Sequence, residues 1–106
     1  MEEFILVLTT VPDEKTGQTI AMRILEEKLV ACVTISGASL SFYWWKGQIS
    51  KETEHILFMK TRAALFPKLG KKLQEIHPYD VPEIIALPIQ KGSADYLSWI
   101  EKETKS

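Results

Sequence analysis

The side chains best suited to chemistry lie close together between His77 and Glu83. This stretch carries an imidazole (His77), a phenol (Tyr79) and two carboxylates (Asp80 and Glu83) within seven residues. Two prolines inside it disfavour helical backbone at the residues before them, so the chain here is predicted to be stiff and extended. Such a stretch could form the edge of a binding site. The alternative is a rigid connection from a helix to a strand, since most loops carry no site.

Soft metal ligands are few in this chain. A set of His, Cys and carboxylate would suit copper or zinc, yet no pair of these residues has Cys-x-x-Cys or His-x-x-x-His spacing. His77 and Cys32 are the predicted metal ligands, and the protein is predicted to require no cofactor. Both residues could instead have a purely structural role, because His77 can cap a helix C-terminus and Cys32 can be a small buried hydrophobe. The other histidine, His55, is predicted to face solvent from a strand.

Patterns for catalysis and for nucleic-acid binding are weak. The chain has neither a Gly-x-Ser-x-Gly motif nor a glycine-rich phosphate loop. A cluster of Tyr79, Lys60 and Glu83 could position a small anionic ligand or act as an enzyme site, or it could be a buried salt bridge. RNA-recognition modules stack bases on a basic sheet, whereas the net charge here is −1. We predict that the protein is not an enzyme and has no nucleic-acid partner.

The composition is that of one ordinary globular domain. The 106 residues are 45% hydrophobic and 25% charged, which is enough for a single modest core. One cysteine excludes an intramolecular disulfide and fits a reducing compartment. The chain starts with acidic residues, where a secretory signal needs basic ones, and has no apolar run long enough to span a membrane. We predict a single cytoplasmic domain over residues 1–106, with no membrane partner.

Hydrophobic periodicity predicts the elements that position these residues. Asp13 is the predicted N-cap of the first helix, Lys46-Gly47 is a two-residue turn, Pro67 restricts where the second helix begins, and His77-Pro78 ends it. Gly37 is the predicted place of a bulge in a long hairpin. The predicted strands and helices, in chain order, are a strand over 4–8, a helix over about 14–29, an apolar strand run over 30–35, strands over 40–45 and 48–61, a helix over about 62–76, a strand over 83–89, and a terminal helix capped by Ser93.

This order predicts an α+β fold of the ferredoxin-like type, βαββαβ plus a C-terminal helix. Helices would cover one face of an antiparallel sheet with a long central hairpin. The hairpin carries Phe42, Tyr43, Trp44 and Trp45 in succession, and alternation exposes such a run on both faces. A small monomer rarely leaves that much apolar surface in water. We therefore predict association through the sheet and its hairpin.

The sequence closely resembles the divalent-cation tolerance proteins (CutA) in one register along nearly its whole length. The segments that carry the resemblance are Val-Pro-Asp-Glu at 11–14, Glu-Glu-Lys-Leu-Val-Ala-Cys-Val at 26–33, Ser-Phe-Tyr-Trp-Trp-Lys-Gly-Gln-Ile at 41–49, Phe-Met-Lys-Thr at 58–61, His-Pro-Tyr-Asp-Val-Pro-Glu-Ile-Ile-Ala-Leu-Pro-Ile at 77–89 and Tyr-Leu-Ser-Trp-Ile at 96–100.

The resemblance implies a cytoplasmic homotrimer similar in architecture to PII signalling proteins, linked to tolerance of copper and other divalent cations and without an established enzyme activity. It implies that a group of aromatic and charged residues surrounds clefts between subunits, where PII-like trimers bind effectors. These residues are Tyr43, Trp45, Lys60, His77, Tyr79 and Glu83.

The chain departs from the family pattern at the ligands of a proposed copper site. Members with that site can supply a cysteine in the first strand and a second histidine before Pro-Tyr, where this chain has Thr9 and Ile76. Only His77 of that set is present. The hypotheses are therefore a trimer that binds a divalent metal or small effector, or a trimeric PII-like scaffold that acts through protein partners.

Overall fold

The strands and helices follow one another in the predicted order. The computed structural model describes residues 3–106. Its elements are β1 (Phe4–Val11), α1 (Glu14–Glu26), β2 (Cys32–Ile35), β3 (Ser39–Trp45), β4 (Gln48–Arg62), α2 (Phe66–Ile76), β5 (Ile85–Ile89) and α3 (Ala94–Glu103). The predicted domain and its acidic start include residues 1 and 2, which lie outside the described residues. Within the described range, no helix has the length and apolar character needed to cross a membrane.

The helix boundaries follow from local capping chemistry. The Asp13 carboxylate accepts a hydrogen bond of 2.7 Å from the Thr16 amide, which lowers the pKa of Asp13. Pro67 lies in the first turn of α2, where its missing N–H is not needed. His77 has extended backbone and ends α2, and the Ser93 side chain caps α3. The predicted caps and helix stop are confirmed.

Four strands form one antiparallel sheet in the order β2-β4-β1-β5, with β3 paired to the far half of β4. This is the predicted ferredoxin-like arrangement. Alternate residues of β1 are buried, and they join Ile20 and Ile24 of α1 and Leu69 and Leu73 of α2 in one core cluster. On the opposite face, Ile85 and Leu87 of β5 are 49% and 44% exposed. The sheet thus has one helix-covered face and one apolar face that is partly open.

The first arm of the hairpin is divided by a bulge at the predicted place. Ile35 pairs with Leu57 and Ser39 pairs with Glu54, so three residues (36–38) lie opposite two (55–56). This extra residue bends the arm and makes β2 and β3 separate strands. The Ser36 hydroxyl accepts from the Ile56 amide at 2.8 Å. The second arm has no such division, because β4 is continuous from Gln48 to Arg62.

The second histidine is held at this bulge. His55 Nδ1 donates to the Ser36 carbonyl at 2.9 Å, and the residue is half-buried. The prediction of a solvent-facing His55 is therefore wrong, because the bulge turns a backbone carbonyl towards its ring.

The two faces of the β3–β4 hairpin differ in chemistry. The turn at Lys46 and Gly47, both with positive φ, pairs Trp45 with Gln48. Directly paired residues share a face, so the hairpin divides into two sets. The inner face carries Ser41, Tyr43, Trp45, Glu52 and Glu54; the outer face carries the apolar Leu40, Phe42, Trp44 and Ile49 together with Thr53 and Lys51. The four apolar side chains are 61%, 64%, 73% and 65% exposed, so the predicted exposed aromatic surface is confirmed.

The third helix lies against the end of the open sheet face. Lys60 and Arg62 alternate with the buried Met59 and Thr61, so their side chains point away from α1 and α2. Lys60 Nζ donates to the Tyr96 hydroxyl at 3.2 Å, and Arg62 Nε donates to the Thr104 hydroxyl at 3.0 Å. The helix therefore covers one end of this face and leaves the end near Thr10 accessible.

A buried threonine in the core gives a stability prediction. Thr9 is 0% exposed, and its hydroxyl has no hydrogen-bond partner within residues 3–106. Since an unsatisfied buried hydroxyl costs about 1–3 kcal/mol, Thr9→Val is expected to raise the free energy of unfolding by about 1 kcal/mol in urea titrations. Thr61→Val is the matched control, because the Thr61 hydroxyl donates to the Leu29 carbonyl at 2.7 Å and its loss should destabilise. Equal effects of the two variants would contradict this account.

Candidate functional site

A cavity lies between the inner face of the hairpin and the connection from α2 to β5. Its volume is about 710 Å³, within the range of small-molecule sites. The hairpin supplies Tyr43, Trp45 and Glu54, and the connection supplies Tyr79 and Glu83. The predicted connection from α2 to β5 is also a wall of the cavity, and its role as the edge of a binding site stays a prediction.

A hydrogen bond between two long-range partners closes the base of the cavity. The Tyr79 hydroxyl donates to Glu54 Oε2 at 2.7 Å, and Glu54 is only 6% exposed. A carboxylate in the middle of a strand can be buried there because a phenol satisfies one of its oxygens. The pair fixes the position of the connection over β4.

His77 anchors the same connection from below. Its Nδ1 accepts from the Tyr79 amide at 3.1 Å and its Nε2–H donates to the Thr10 carbonyl at 2.8 Å. These bonds require the neutral ring with its proton on Nε2. The ring also stacks at a tilt on Tyr79, with centroids 4.8 Å apart. His77 can bind a metal only by giving up one of these bonds.

The electrostatics of the cavity keep both of its phenols neutral. Burial raises the pKa of Tyr79, and the hydrogen bond to Glu54 raises it further. Partial burial also raises the pKa of Tyr43, with added contributions from the carboxylates of Glu52 and Glu54. The carboxylates of Glu52 and Glu54 thus raise the pKa of both phenols.

Lys60 lies at the other end of the sheet. Besides its hydrogen bond to Tyr96, its ammonium lies 5.3 Å from the centre of the Tyr96 ring, and the hydrogen bond raises the pKa of Lys60. Lys60 does not line the cavity that contains Tyr79 and Glu83. The possible cluster of these three residues does not form within one chain, because α3 holds Lys60 near Tyr96. Their grouping around a cleft between subunits stays a prediction.

The two predicted metal ligands lie apart within the chain. Cys32 pairs with Lys60, whereas His77 contacts Thr10, whose partner on β4 is Ile56. Four strand residues, roughly 13 Å, separate these two positions along β4. In the described part of the chain, no three His, Cys, Asp or Glu side chains form a group that could hold a metal ion.

Comparison with known proteins gives one consistent result. A family model described as CutA1 divalent ion tolerance protein matches residues 5–103. This chain belongs to the CutA1 family. A divalent-cation tolerance protein CutA from Thermus thermophilus is 44% identical over 104 residues, covering 98% of this chain and 99% of that protein. Human Protein CutA is 39% identical over 97 residues, and this chain spans about half (54%) of its length.

Solved CutA1 structures have the same fold. The crystal structure of CutA1 from Oryza sativa superposes with a TM-score of 0.95 at 41% identity, covering 98% of this chain and 95% of that one. The Thermus thermophilus protein superposes with a TM-score of 0.92 at 45% identity, covering 99% and 100%. The predicted family and the predicted ferredoxin-like architecture are both confirmed.

Sequence reasoning missed one principal residue of this CutA1 cavity. Glu54 was not among the predicted site residues, although the two-residue turn at Lys46-Gly47 sets a register that places it on the same face as Tyr43 and Trp45. Its burial under Tyr79 had no local signal. Thr10 was also missed. It contributes only its backbone carbonyl to His77, and because every residue has a carbonyl, the sequence gives no signal for this contact.

The neutral His77 predicts a stability that depends on pH. Burial lowers the pKa of His77, while the Thr10 hydrogen bond and Glu54 oppose the shift. Because the folded pKa lies below the ordinary value of 6.5, the unfolded chain binds the extra proton. This contribution to stability is complete above pH 6.5 and is lost as the pH falls below it, with a slope of up to about 1.4 kcal/mol per pH unit.

The measurement is a series of urea midpoints from pH 7.5 to 5, at one protein concentration. His77→Gln keeps polar atoms at this position but cannot titrate, and all carboxylates are unchanged. We expect it to be less stable than wild type at pH 7.5 and to show a flatter pH profile below 6.5. Parallel profiles for the two proteins would contradict the assignment.

Proposed function

We propose that this chain is a cytoplasmic divalent-cation tolerance protein that works as a homotrimer and binds its ligand at the hairpin cavity. The observation that carries the proposal is the division of the hairpin into an apolar outer face and an aromatic, acidic inner face. The first suits contact between subunits and the second suits a ligand. The proposal includes no catalytic step.

Self-association is supported by the amount of exposed apolar surface. The outer face of the hairpin exposes four large apolar side chains, Leu40, Phe42, Trp44 and Ile49, and a small protein rarely leaves so much apolar surface in water. Ile85 and Leu87 add apolar surface to the open sheet face. Three copies, the state implied for the family, would cover both surfaces and place the cavities at subunit boundaries, in a PII-like architecture.

A divalent metal ion is one proposed ligand, with copper or zinc the best chemical match. His77 and Cys32 are the soft donors of this chain, and Cys32 is a half-exposed free thiol. Since they lie apart in one chain, a metal at either would need groups of another subunit. The cytoplasmic location is supported by the single free cysteine, although a CutA from Archaeoglobus fulgidus, 37% identical and with a TM-score of 0.91, is described as periplasmic.

The test combines mass and metal titration. Light scattering at micromolar concentration should give three times the chain mass of 12.1 kDa. Calorimetric titration with copper and zinc should give binding heat in wild type, and a reduced heat in His77→Ala or Cys32→Ala if that residue is a ligand. A monomer mass would overturn the assembly. Negligible heat for both metals in wild type would overturn direct metal binding.

A further inference from the structure

The charged groups that line the hairpin cavity are all acidic. Its walls carry the carboxylates of Glu54, Asp80 and Glu83. Among the described residues that line it, none is a lysine, arginine or histidine. Lys51, the basic residue of the hairpin opposite Phe42, lies on the outer face, where its ammonium is 6.0 Å from the Phe42 ring. The lining that a single chain supplies is therefore complementary to a cation.

The same walls are rich in aromatic surface. Tyr43 and Trp45 stand on the inner face of the hairpin, and Tyr79 faces them from the connection. Aromatic faces attract cations through the ring quadrupole, most strongly where water is partly excluded. They also bury apolar groups. A ligand that combines positive charge with hydrocarbon would satisfy both features of the lining.

A bare metal ion fits this lining less well than an organic cation. Metal ions need several donor atoms converging on one point, and no such group of His, Cys, Asp or Glu occurs in residues 3–106. One of the three carboxylates, Glu54, already accepts from Tyr79. An alkylammonium ion needs no convergence, because its charge is spread over a larger surface that aromatic rings can contact. The volume of about 710 Å³ also far exceeds what one ion would occupy.

We propose that the hairpin cavity binds an organic ammonium ion, an amine or quaternary ammonium with an apolar body, between the rings of Tyr43, Trp45 and Tyr79 and the carboxylates of Glu54 and Glu83. This inference rests on the proposed function only in using the same cavity as the ligand site. It replaces the open choice of effector by one chemical class, and it is independent of metal binding.

The test compares three benzyl probes of similar size and different charge on the full chain in its native assembly. The probes are benzyltrimethylammonium, the neutral alcohol 2-methyl-1-phenylpropan-2-ol and benzylsulfonate, titrated calorimetrically at one ionic strength. The ammonium probe should bind at least about tenfold more tightly than the alcohol, and the sulfonate more weakly than either. Binding that does not depend on charge, a preference for the sulfonate, or no binding by any probe would overturn the proposal.

Matched variants connect binding to the cavity. Glu83→Gln and Glu54→Gln should each weaken the ammonium probe by at least about fivefold, whereas Glu26→Gln, the same change on the exposed side of α1, should not. Glu83 is exposed, so its variant stays informative if the buried Glu54 variant folds poorly. Trp45→Leu should weaken binding, and Trp99→Leu, which removes a similarly exposed ring of α3, should not. Equal effects of cavity and control variants would count against the site.

Failure of this inference and failure of the proposed function have different signatures. A preference for the sulfonate would leave the cavity as a ligand site and the assembly intact, while excluding the ammonium class. A chain of monomer mass would overturn the proposed assembly whatever the probes do. The calorimetric heats of copper and zinc titrations, measured without the ammonium probe, report only on metal binding.

Discussion

Phe42→Glu combined with Trp44→Glu is expected to reduce the mass in solution to that of a single 12.1 kDa chain. Both side chains lie on the outer face of the hairpin and are 64% and 73% exposed in one chain. In the proposed assembly they pack on another subunit. A buried charge without a partner costs several kcal/mol, so two in each interface should raise the dissociation constant by more than about a thousandfold.

The matched control is Met22→Glu. Met22 is an apolar residue of α1 that is 57% exposed, and it lies outside the hairpin. Met22→Glu introduces one carboxylate, half the charge of the double variant, at a similar exposure, so the assembly should keep its mass. Circular dichroism of the double variant should retain the native helix content, since the outer face contributes little to the core of its own chain. A double variant with unchanged mass would contradict an interface at this face.

Gly17→Leu is expected to lower the free energy of unfolding by about 3 kcal/mol. Gly17 lies inside α1, where glycine costs roughly 1 kcal/mol relative to alanine, and the sequence shows no local reason for it. The structure supplies one. A Cβ at this position would meet side-chain atoms of Leu57 and Val11 at 3.3 Å and of Ile35 at 3.5 Å. The glycine lets α1 approach the sheet closely, and larger side chains would push them apart.

Gly70 is the matched control because it is also a helical glycine. A Cβ there would meet Phe66 at 4.0 Å, so Gly70→Ala should gain helix propensity and stabilise by up to about 1 kcal/mol. Gly17→Ala should change stability by less than about 1 kcal/mol, because tight contacts offset the same gain. Urea midpoints at one protein concentration check the series. Equal responses at the two glycines would contradict the packing argument.

These two predictions concern different parts of one sheet. The part that faces Gly17 is packed against helices and tolerates little added volume. The hairpin extends beyond those helices, so its outer face has no cover within one chain, while its inner face is covered by the connection after α2. One long strand, β4 (Gln48–Arg62), therefore contributes to the core, to the cavity and to the proposed interface.

Much of the fold was determined by signals that act over a few residues. Asp13 and Ser93 cap their helices through hydrogen bonds to amides three residues away. Lys46-Gly47 sets the hairpin turn, and His77-Pro78 stops α2 by steric exclusion of helical backbone. Even the inner and outer faces of the hairpin follow from this turn, because alternation propagates its register along both strands.

Only the tertiary structure decided which distant residues are in contact. Tyr79 reaches Glu54 across 25 positions of sequence, Lys60 reaches Tyr96 across 36, and His77 reaches Thr10 across 67. No local pattern specifies such partners, since they depend on how the connection and α3 pack on the finished sheet. The sequence by itself determined that His77, Tyr79 and Glu83 lie on a stiff segment. The tertiary structure decided that this segment covers the acidic, aromatic face of the hairpin, because there Tyr79 can satisfy the buried carboxylate of Glu54.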